Sequence, residues 1–204
     1  MKLIFATNNQ HKVDEIKSIL PASIDVITLK EAGIDIDIPE PHDTLEANAE
    51  EKGRTIYKLT ATNCFSEDTG LEVDALNGEP GVYSARYAGE EKSSEKNIEK
   101  LLQNLQQHTN RGAQFRTIIF LIIEGKEYLF EGVCKGFIIH EPKGTGGFGY
   151  DSVFIPEGAN KTFAEMSIEE KNQYSHRRKA TDKLVAFLHD LAENQYLESS
   201  KQPN

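Results

Sequence analysis

Two long β-rich segments joined by a two-residue turn limit the fold of this chain more than any other feature. Residues 115–123 and 126–139 are rich in β-branched and aromatic residues, and Glu124-Gly125 lies between them. This arrangement predicts a β-hairpin, because a short turn containing glycine joins two runs that favour extended backbone. A hairpin is antiparallel, so the chain is not expected to form a purely parallel sheet.

The rest of the sequence alternates between predicted strands and predicted helices. Residues that commonly cap helices mark the helix starts, at Asp43 or Thr44, at Ser93 or Ser94, and at Ser175. In chain order we predict strand 3–6, helix 9–20, strand 25–29, helix 44–59, a strand from 64, helix 94–107, the hairpin, strand 152–155 and a last helix from 175. Alternation followed by a hairpin predicts an α/β domain with a mixed sheet.

Length and cysteine content indicate one intracellular domain. We predict a single domain over residues 1–192 and a polar, disordered tail over residues 193–204. Cys64 and Cys134 form no C-x-x-C pair, which disfavours a zinc ribbon and fits a reducing compartment. No apolar run approaches the about 18–20 residues that span a bilayer, and the apolar N-terminal stretch is too short for a signal peptide. We therefore expect a cytoplasmic protein.

The net charge restricts the partners. The chain has 33 acidic and 23 basic residues, which gives a formal charge of −10. Nucleic acid polymers and anionic membranes attract basic surfaces, so we expect neither as a partner. A small anionic ligand remains compatible, because a local basic pocket can exist within an acidic protein.

The segment Thr7-Asn8-Asn9-Gln10-His11-Lys12 lies between a predicted strand and a predicted helix. A helix start offers free backbone N–H groups and the positive end of the helix dipole, which both favour an anion. Lys12 adds a full positive charge. The same pattern also fits an ordinary capped helix with a solvated lysine.

A pair of carboxylates follows the strand that begins at residue 64. Glu67 and Asp68 precede Thr69-Gly70, where we predict a turn. Because successive strand residues point to opposite faces, one carboxylate can face a cleft while the other supports it. Glu40, between two prolines, is a candidate second ligand for Mg²⁺, which prefers oxygen ligands. In a chain with 33 acidic residues, such a pair also arises by chance.

Residues 144–151 match the spacing G-x-G-x-x-G but precede a predicted strand. The dinucleotide-binding fingerprint opens a helix instead, so we reject a Rossmann site. Glycines let a ligand approach the backbone, and Phe148 can stack on a base. A tight connection plugged by aromatic residues is an equally good interpretation.

Residues 171–179 contain four cationic residues and no acidic residue. They lie at a predicted helix N-terminus, where the helix dipole disfavours cations. This placement predicts a negatively charged partner, although a solvated basic surface gives the same pattern.

Taken in order, these segments resemble the inosine triphosphate pyrophosphatase family, also called the Ham1 family. The matching blocks are residues 5–12 with the pattern T-x-N-x-x-K, 66–71, 80–87, 144–151, 163–166 and 170–177. The blocks extend over nearly the whole chain, which makes the series specific although no single block is decisive. Two positions depart from frequent family residues: Glu67 stands where bacterial members often have Asp, and Arg178 stands where Gly is frequent.

The resemblance implies an elongated α/β fold of two lobes around a long mixed β-sheet with flanking helices, with the nucleotide in the cleft between the lobes. It implies Mg²⁺-dependent hydrolysis of the non-canonical purine nucleotides ITP, dITP and XTP to the monophosphate and pyrophosphate, which cleanses the nucleotide pool. It also implies a homodimer.

By position, the resemblance assigns Asp68 to Mg²⁺ binding and to the general base, and Glu40 to the second metal-side carboxylate. It assigns substrate contacts to Thr7, Asn8, Asn9, Gln10, His11, Lys12, Thr69, Phe148, Gly149, Tyr150, Asp151, Lys171, His176 and Arg177. We expect His176 and Arg177 to donate hydrogen bonds to the 6-oxo group of hypoxanthine or xanthine, an acceptor that adenine lacks.

Two other functions stay open at this point. A Maf-type house-cleaning pyrophosphatase has the same broad fold, but Ser175-His176-Arg177 argues against it. A non-catalytic nucleotide sensor would keep Lys12, Phe148 and Arg177 without needing Asp68. The presence of Asp68 favours an enzyme.

Overall fold

The structure is a computed structural model that describes residues 1–199, with side chains up to residue 193. Its strands are β1 (Lys2–Phe5), β2 (Asp25–Thr28), β3 (Cys64–Val73), β4 (Pro80–Gly81), β5 (Gly112–Ile123), β6 (Lys126–Ile138) and β7 (Phe154–Pro156). Its helices are α1 (Gln10–Ile19), α2 (Leu45–Thr60), α3 (Ser94–Asn104), α4 (Ile168–Asn172) and α5 (His176–Ser199). Short 3₁₀ helices cover Asp74–Leu76, Ser84–Arg86 and Phe163–Glu165.

The strands form one mixed sheet. Its order is β2-β1-β3-β5-β6-β7, and the short strand β4 pairs with β3 outside this path. β1 runs parallel to β2 and β3, whereas all other pairs are antiparallel. The predicted α/β class with a mixed sheet is therefore confirmed. The predicted hairpin is β5 and β6, with positive φ at Glu124 (52°) and Gly125 (74°).

Strand β3 continues through residues 69–70, so the turn predicted there is wrong. Both residues pair with β5 within a regular antiparallel ladder. Gly70 serves a close approach instead, because a Cβ at this position would lie 2.6 Å from the carbonyl oxygen of Gly81 in β4. Glu67 and Asp68 consequently lie on regular strand, where adjacent side chains point to opposite faces.

Side-chain caps fix where the helices begin. Asn9, Thr44, Ser93 and Ser175 each accept a hydrogen bond from a backbone N–H in the first turn of α1, α2, α3 and α5. Helix α5 continues through Ser199, beyond the boundary predicted at residue 192. The remainder of the predicted tail, residues 200–204, lies outside the described residues. Within residues 1–199, no helix is both long and apolar enough to cross a membrane.

Both faces of strand β5 are covered, which builds the core in two layers. Alternate residues beginning at Ile118 pack with α2 residues such as Ala49. The other set, beginning at Ile119, packs with α5 residues such as Ala180 and Leu184. This double coverage explains why residues 118–123 form an uninterrupted apolar run.

Candidate active site

A cavity of about 490 Å³ opens beside strand β3. Its walls include the β1–α1 connection, the segment before α2, α2 itself and β3. The segment around Ser84, the start of α3, the glycine-rich turn and the adjoining parts of α4 and α5 complete them. Every predicted site residue lines it except Gln10 and His11. Gln10 donates to Asp14 on the surface of α1, and His11 stacks on Phe148. The fold thus gathers residues from both ends of the chain around one space.

Two carboxylates in the cavity wall, Asp68 and Glu40, share one buried lysine, Lys52 of α2. Its ammonium donates to Glu40 Oε1 at 2.6 Å, to Asp68 Oδ1 at 3.1 Å and to the carbonyl oxygen of Glu67 at 2.7 Å. Burial raises the pKa of Asp68 above its usual value, although Lys52 acts in the opposite direction. Burial acts to lower the pKa of Lys52, but Asp68 and Glu40 outweigh it and raise that pKa, so the lysine stays charged.

A second set of buried charges surrounds Glu67. This carboxylate accepts hydrogen bonds from Nε and Nη2 of Arg177, each at 2.7 Å, and Lys12 Nζ lies 3.4 Å from its Oε1. Arg177 also donates to Glu15 of α1, which accepts from Lys171 at 2.6 Å. Although burial acts to raise the pKa of Glu67, Arg177 and Lys12 hold it well below its usual value.

The basic segment 171–179 finds its negative partners inside the protein, which corrects the prediction that a bound anion balances it. Lys171 and Arg177 are buried against the carboxylates of Glu15, Glu67 and Asp151. The two cations that follow Arg177 bind a carboxylate in the next helical turn and a backbone carbonyl of β6. Ion pairs within the chain therefore take up most of this positive charge.

The start of α1 offers fewer free donors than the sequence predicts. The side chain of Asn9 accepts hydrogen bonds from the backbone N–H groups of His11 and Lys12. The N–H of Asn9 itself donates to Thr7 Oγ1 at 3.2 Å. The ammonium of Lys12, which lines the cavity, is consequently the main group that this segment presents to an anion.

The glycine-rich turn places Phe148 and Asp151 in the cavity wall. Gly147 has a φ of 70°, and a Cβ there would lie 2.1 Å from Asp151 Oδ2, so only glycine fits. Asp151 accepts a hydrogen bond from the N–H of Phe148 at 2.9 Å. The ring of Phe148 stacks on His11 with centroids 5.1 Å apart, and Lys171 Nζ lies 5.2 Å from its centre. The turn therefore adds an aromatic ring flanked by a cation to the wall.

His176 is a buried side chain with an unused nitrogen. Its ring stacks on Phe115 with centroids 4.7 Å apart, and its Nδ1 has no hydrogen-bond partner among the described residues. Burial, and then the positive charges of Arg177 and Lys171, hold its pKa well below the usual value, so the ring is neutral near pH 7. His176 lines the cavity, so its neutral imidazole can contribute a hydrogen-bonding group to a ligand there.

The order of these site segments along the chain corresponds to a known family model. The model of the Ham1 family matches residues 3–187. This chain belongs to the Ham1 family. A relative from Flavobacterium johnsoniae, named dITP/XTP pyrophosphatase, is 52% identical over 188 residues, which cover 92% of this chain and 98% of the relative. A relative of the same name from Porphyromonas gingivalis is 50% identical over 188 residues, covering 92% and 97%.

Solved Ham1 structures have the same fold. The Ham1 protein of Staphylococcus aureus superimposes with a TM-score of 0.85 at 43% identity, covering 93% of this chain and 99% of that one. A HAM1 protein from Coxiella burnetii gives a TM-score of 0.85 at 34% identity, with the same coverage. The family resemblance inferred from the sequence is therefore confirmed.

Two buried charged residues of this Ham1-family site, Lys52 and Glu15, are missing from the sequence prediction. Lys52 falls on the buried face of α2, three residues after Ala49 and four before Ile56. Glu15 precedes Ile16 on the buried face of α1. A charged residue at an apolar-face position is the signal that could have identified both, because a buried charge requires a partner.

Proposed function

We propose that this chain hydrolyses dITP, ITP and XTP to the monophosphate and pyrophosphate, with Mg²⁺ as cofactor. The observation that carries the proposal is the meeting of Asp68 and Glu40 at one lysine, in a cavity that also contains Phe148 and His176. The relatives named dITP/XTP pyrophosphatase, which match almost the whole of their length, support the substrate class.

The donor set fits Mg²⁺. Asp68 and Glu40 supply carboxylate oxygens, the ligand type that hard divalent cations prefer. The ammonium of Lys52 lies between the two carboxylates, at a position where a divalent cation would contact both. Asp68 and Glu40 would hold the ion, and the chemistry that Mg²⁺ supplies when bound is neutralisation of phosphate charge.

Asp68 is the residue to which we assign proton transfer. Hydrolysis of a phosphoanhydride depends on charge neutralisation and a positioned water more than on covalent catalysis. The carboxylate is held through Oδ1 by Lys52, and it can orient a water and accept its proton. Lys12, with Thr7, Asn8 and Asn9 beside it in the wall, supplies positive charge for the phosphates.

Base selection is assigned mainly to His176. The 6-oxo group of hypoxanthine accepts a hydrogen bond, which the neutral imidazole of His176 in the cavity wall can donate through its N–H. Adenine offers an amino donor there, and a buried donor left unpaired costs about 1–3 kcal/mol. Arg177, expected to share this role, already donates through Nε, Nη1 and Nη2 to Glu67 and Glu15. These bonds fix the guanidinium in the wall beside His176, and a remaining Nη1–H stays available for the predicted contact with the base.

Product identification with a nucleotide panel tests the proposal. We expect pyrophosphate from ITP, dITP and XTP in the presence of Mg²⁺, little from ATP or GTP, and no turnover once Mg²⁺ is chelated. Orthophosphate as the product would contradict the proposed reaction. A preference for UTP or TTP would favour a Maf-type enzyme, and binding of ITP without turnover would favour a sensor.

We further infer a cytoplasmic homodimer whose catalytic domain is residues 1–192. Resemblance to Ham1 proteins supports the dimer. The net charge of −10 disfavours nucleic acid polymers and anionic membranes as partners. Light scattering coupled to size exclusion tests the assembly, and a monomer mass would contradict the dimer.

A further inference from the structure

Glu40 lies on the segment between β2 and α2, which contains no helix or strand, so other parts of the chain must hold its carboxylate. The segment is attached on either side of Glu40. Asn8 donates to the carbonyl oxygen of Ile36 at 2.9 Å. The side chain of Asn48 bonds both the N–H and the carbonyl oxygen of His42, at 2.9 Å and 3.1 Å. These contacts fix the ends of the segment but not the carboxylate between them.

Arg86 contacts both the backbone and the side chain of Glu40. Its Nη2 donates to the carbonyl oxygen of Glu40 at 3.1 Å, and its Nη1 lies 3.6 Å from Glu40 Oε2. The guanidinium packs over the ring of Tyr83, 5.2 Å from its centroid. The planar guanidinium holds its donors in a fixed fork that contacts both atoms, and the point charge of a lysine ammonium does not reproduce that fork.

The two carboxylate oxygens of Glu40 face two different cations. Lys52 binds Oε1 at 2.6 Å, and Arg86 faces Oε2. Arg86 belongs to the 3₁₀ helix that begins at Ser84, whose hydroxyl accepts a hydrogen bond from the N–H of Leu71 in β3 at 2.9 Å. The carboxylate is thus connected to the central sheet through Lys52 and, independently, through Arg86.

We propose that Arg86 is a positioning residue that holds the Glu40 carboxylate beside Asp68 for a divalent cation. The proposal deepens the proposed function and rests on it. Among the described residues, Arg86 does not line the cavity, so it acts through Glu40 rather than by touching substrate. Its bond to the backbone of Glu40 does not require the carboxylate to stay on Lys52, so it persists when a cation takes the place of the ammonium.

Metal titration of the full chain tests this role. Mn²⁺ is the probe: its binding is followed by electron paramagnetic resonance of the free ion, and the Mg²⁺ concentration for half-maximal ITP hydrolysis is measured in parallel. We expect Arg86→Ala and Arg86→Lys to raise the dissociation constant for Mn²⁺ and the half-maximal Mg²⁺ concentration about 10-fold each. We expect the same of Glu40→Gln. At saturating Mg²⁺, the KM for ITP changes little, because Arg86 touches no substrate.

Arg54→Ala is the matched control. Arg54 is also paired with glutamates, Glu50 and Glu127, and also packs over an aromatic ring, that of Phe120, but it lies outside the cavity wall. We expect this variant to change neither the dissociation constant for Mn²⁺ nor the half-maximal Mg²⁺ concentration. Arg86→Ala combined with Glu40→Gln should be no weaker in Mn²⁺ binding than the weaker single variant, because both act on one carboxylate.

The outcomes separate this inference from the proposed function. If Glu40→Gln weakens Mn²⁺ binding and both Arg86 variants do not, the role of Arg86 is overturned while the proposed function stands. If the Arg86 variants melt at a lower temperature but keep the wild-type Mn²⁺ dissociation constant and half-maximal Mg²⁺ concentration, Arg86 has only a structural role. That result would also overturn its role in positioning Glu40. If Glu40→Gln leaves Mn²⁺ binding unchanged, the metal assignment of Glu40 and the inference fail together. Absence of pyrophosphate release from wild-type protein would overturn the proposed function itself.

Discussion

Asp68 is one of 33 acidic residues in the chain, and at the scale of a single residue its surroundings set it apart. It is buried on a central strand, which raises its pKa, and it accepts a hydrogen bond from Lys52, which limits that rise. The sequence indicated Asp68 and Glu40 as candidate metal ligands, but the residue types alone could not bring positions 40 and 68 together. Lys52 was not predictable in the same way, because a lysine in an amphipathic helix usually lies on the solvated face.

Replacing Asp68 tests its assignment as the base. We expect Asp68→Asn to lower kcat for ITP by a factor of about 10² to 10⁴, the usual contribution of a positioned proton acceptor, while ITP still binds. Rapid-quench kinetics and calorimetric titration measure the two quantities. The control is Glu72→Gln, which should remain active. Glu72 lies on the same strand and, among the described residues, does not line the cavity. Full activity of Asp68→Asn would exclude this base.

Replacing Lys52 tests the electrostatic coupling at the same site. Positive charge beside a carboxylate stabilises its ionised form, so Lys52→Met should raise the pKa of Asp68 further above its usual value. A base must be deprotonated to act, so the acid limb of the kcat/KM profile for ITP should move to higher pH. Lys58→Met, at an exposed position of the same helix, should leave the limb in place. A limb that stays or moves to lower pH after Lys52→Met would contradict the coupling.

At the scale of elements, short-range signals predicted the hairpin and the capped helix starts, because turns and caps depend on neighbouring residues. The turn at residues 69–70 was wrong because pairing of β3 with the distant strand β5 decides that conformation. Polar residues beside a glycine resemble a turn locally, whereas Gly70 is needed for the approach of β4. Local sequence patterns do not show which distant segments of the chain come into contact.

Gly132 of β6 shows how one element positions another. A Cβ at Gly132 would lie 2.0 Å from the carbonyl oxygen of His176 and 2.5 Å from the backbone nitrogen of Ala180. Gly132→Ala should therefore displace the start of α5, lower the unfolding free energy by about 3 kcal/mol and reduce kcat/KM for ITP. Urea denaturation and steady-state kinetics measure both effects.

The control for this prediction lies on the same strand. Lys135 is exposed, and Lys135→Ala should change the unfolding free energy by no more than about 0.5 kcal/mol. If Gly132→Ala keeps the wild-type unfolding free energy and activity, the prediction that Gly132 positions the start of α5 is wrong.

At the scale of the whole molecule, the sheet order brings residues 7, 40, 68, 148 and 176 to one cavity. Periodicity and composition could not predict this grouping, since it depends on which strands become neighbours. The resemblance of the sequence blocks, taken in order, to Ham1 proteins could predict this grouping, because members of one family share a fold. The net charge of −10 was compatible with a basic cleft, but the buried cations Lys171 and Arg177 are instead matched by carboxylates of the same chain.

The ratio of kcat/KM for ITP to kcat/KM for ATP, measured at saturating Mg²⁺, shows directly whether the cavity selects a 6-oxo purine. The N–H of His176 in the cavity wall can donate to a 6-oxo acceptor and finds no such acceptor on the amino group of adenine, so the ratio should lie between about 10 and 100. A ratio near one would contradict base selection by His176, because it would mean that the base does not contact this wall of the cavity.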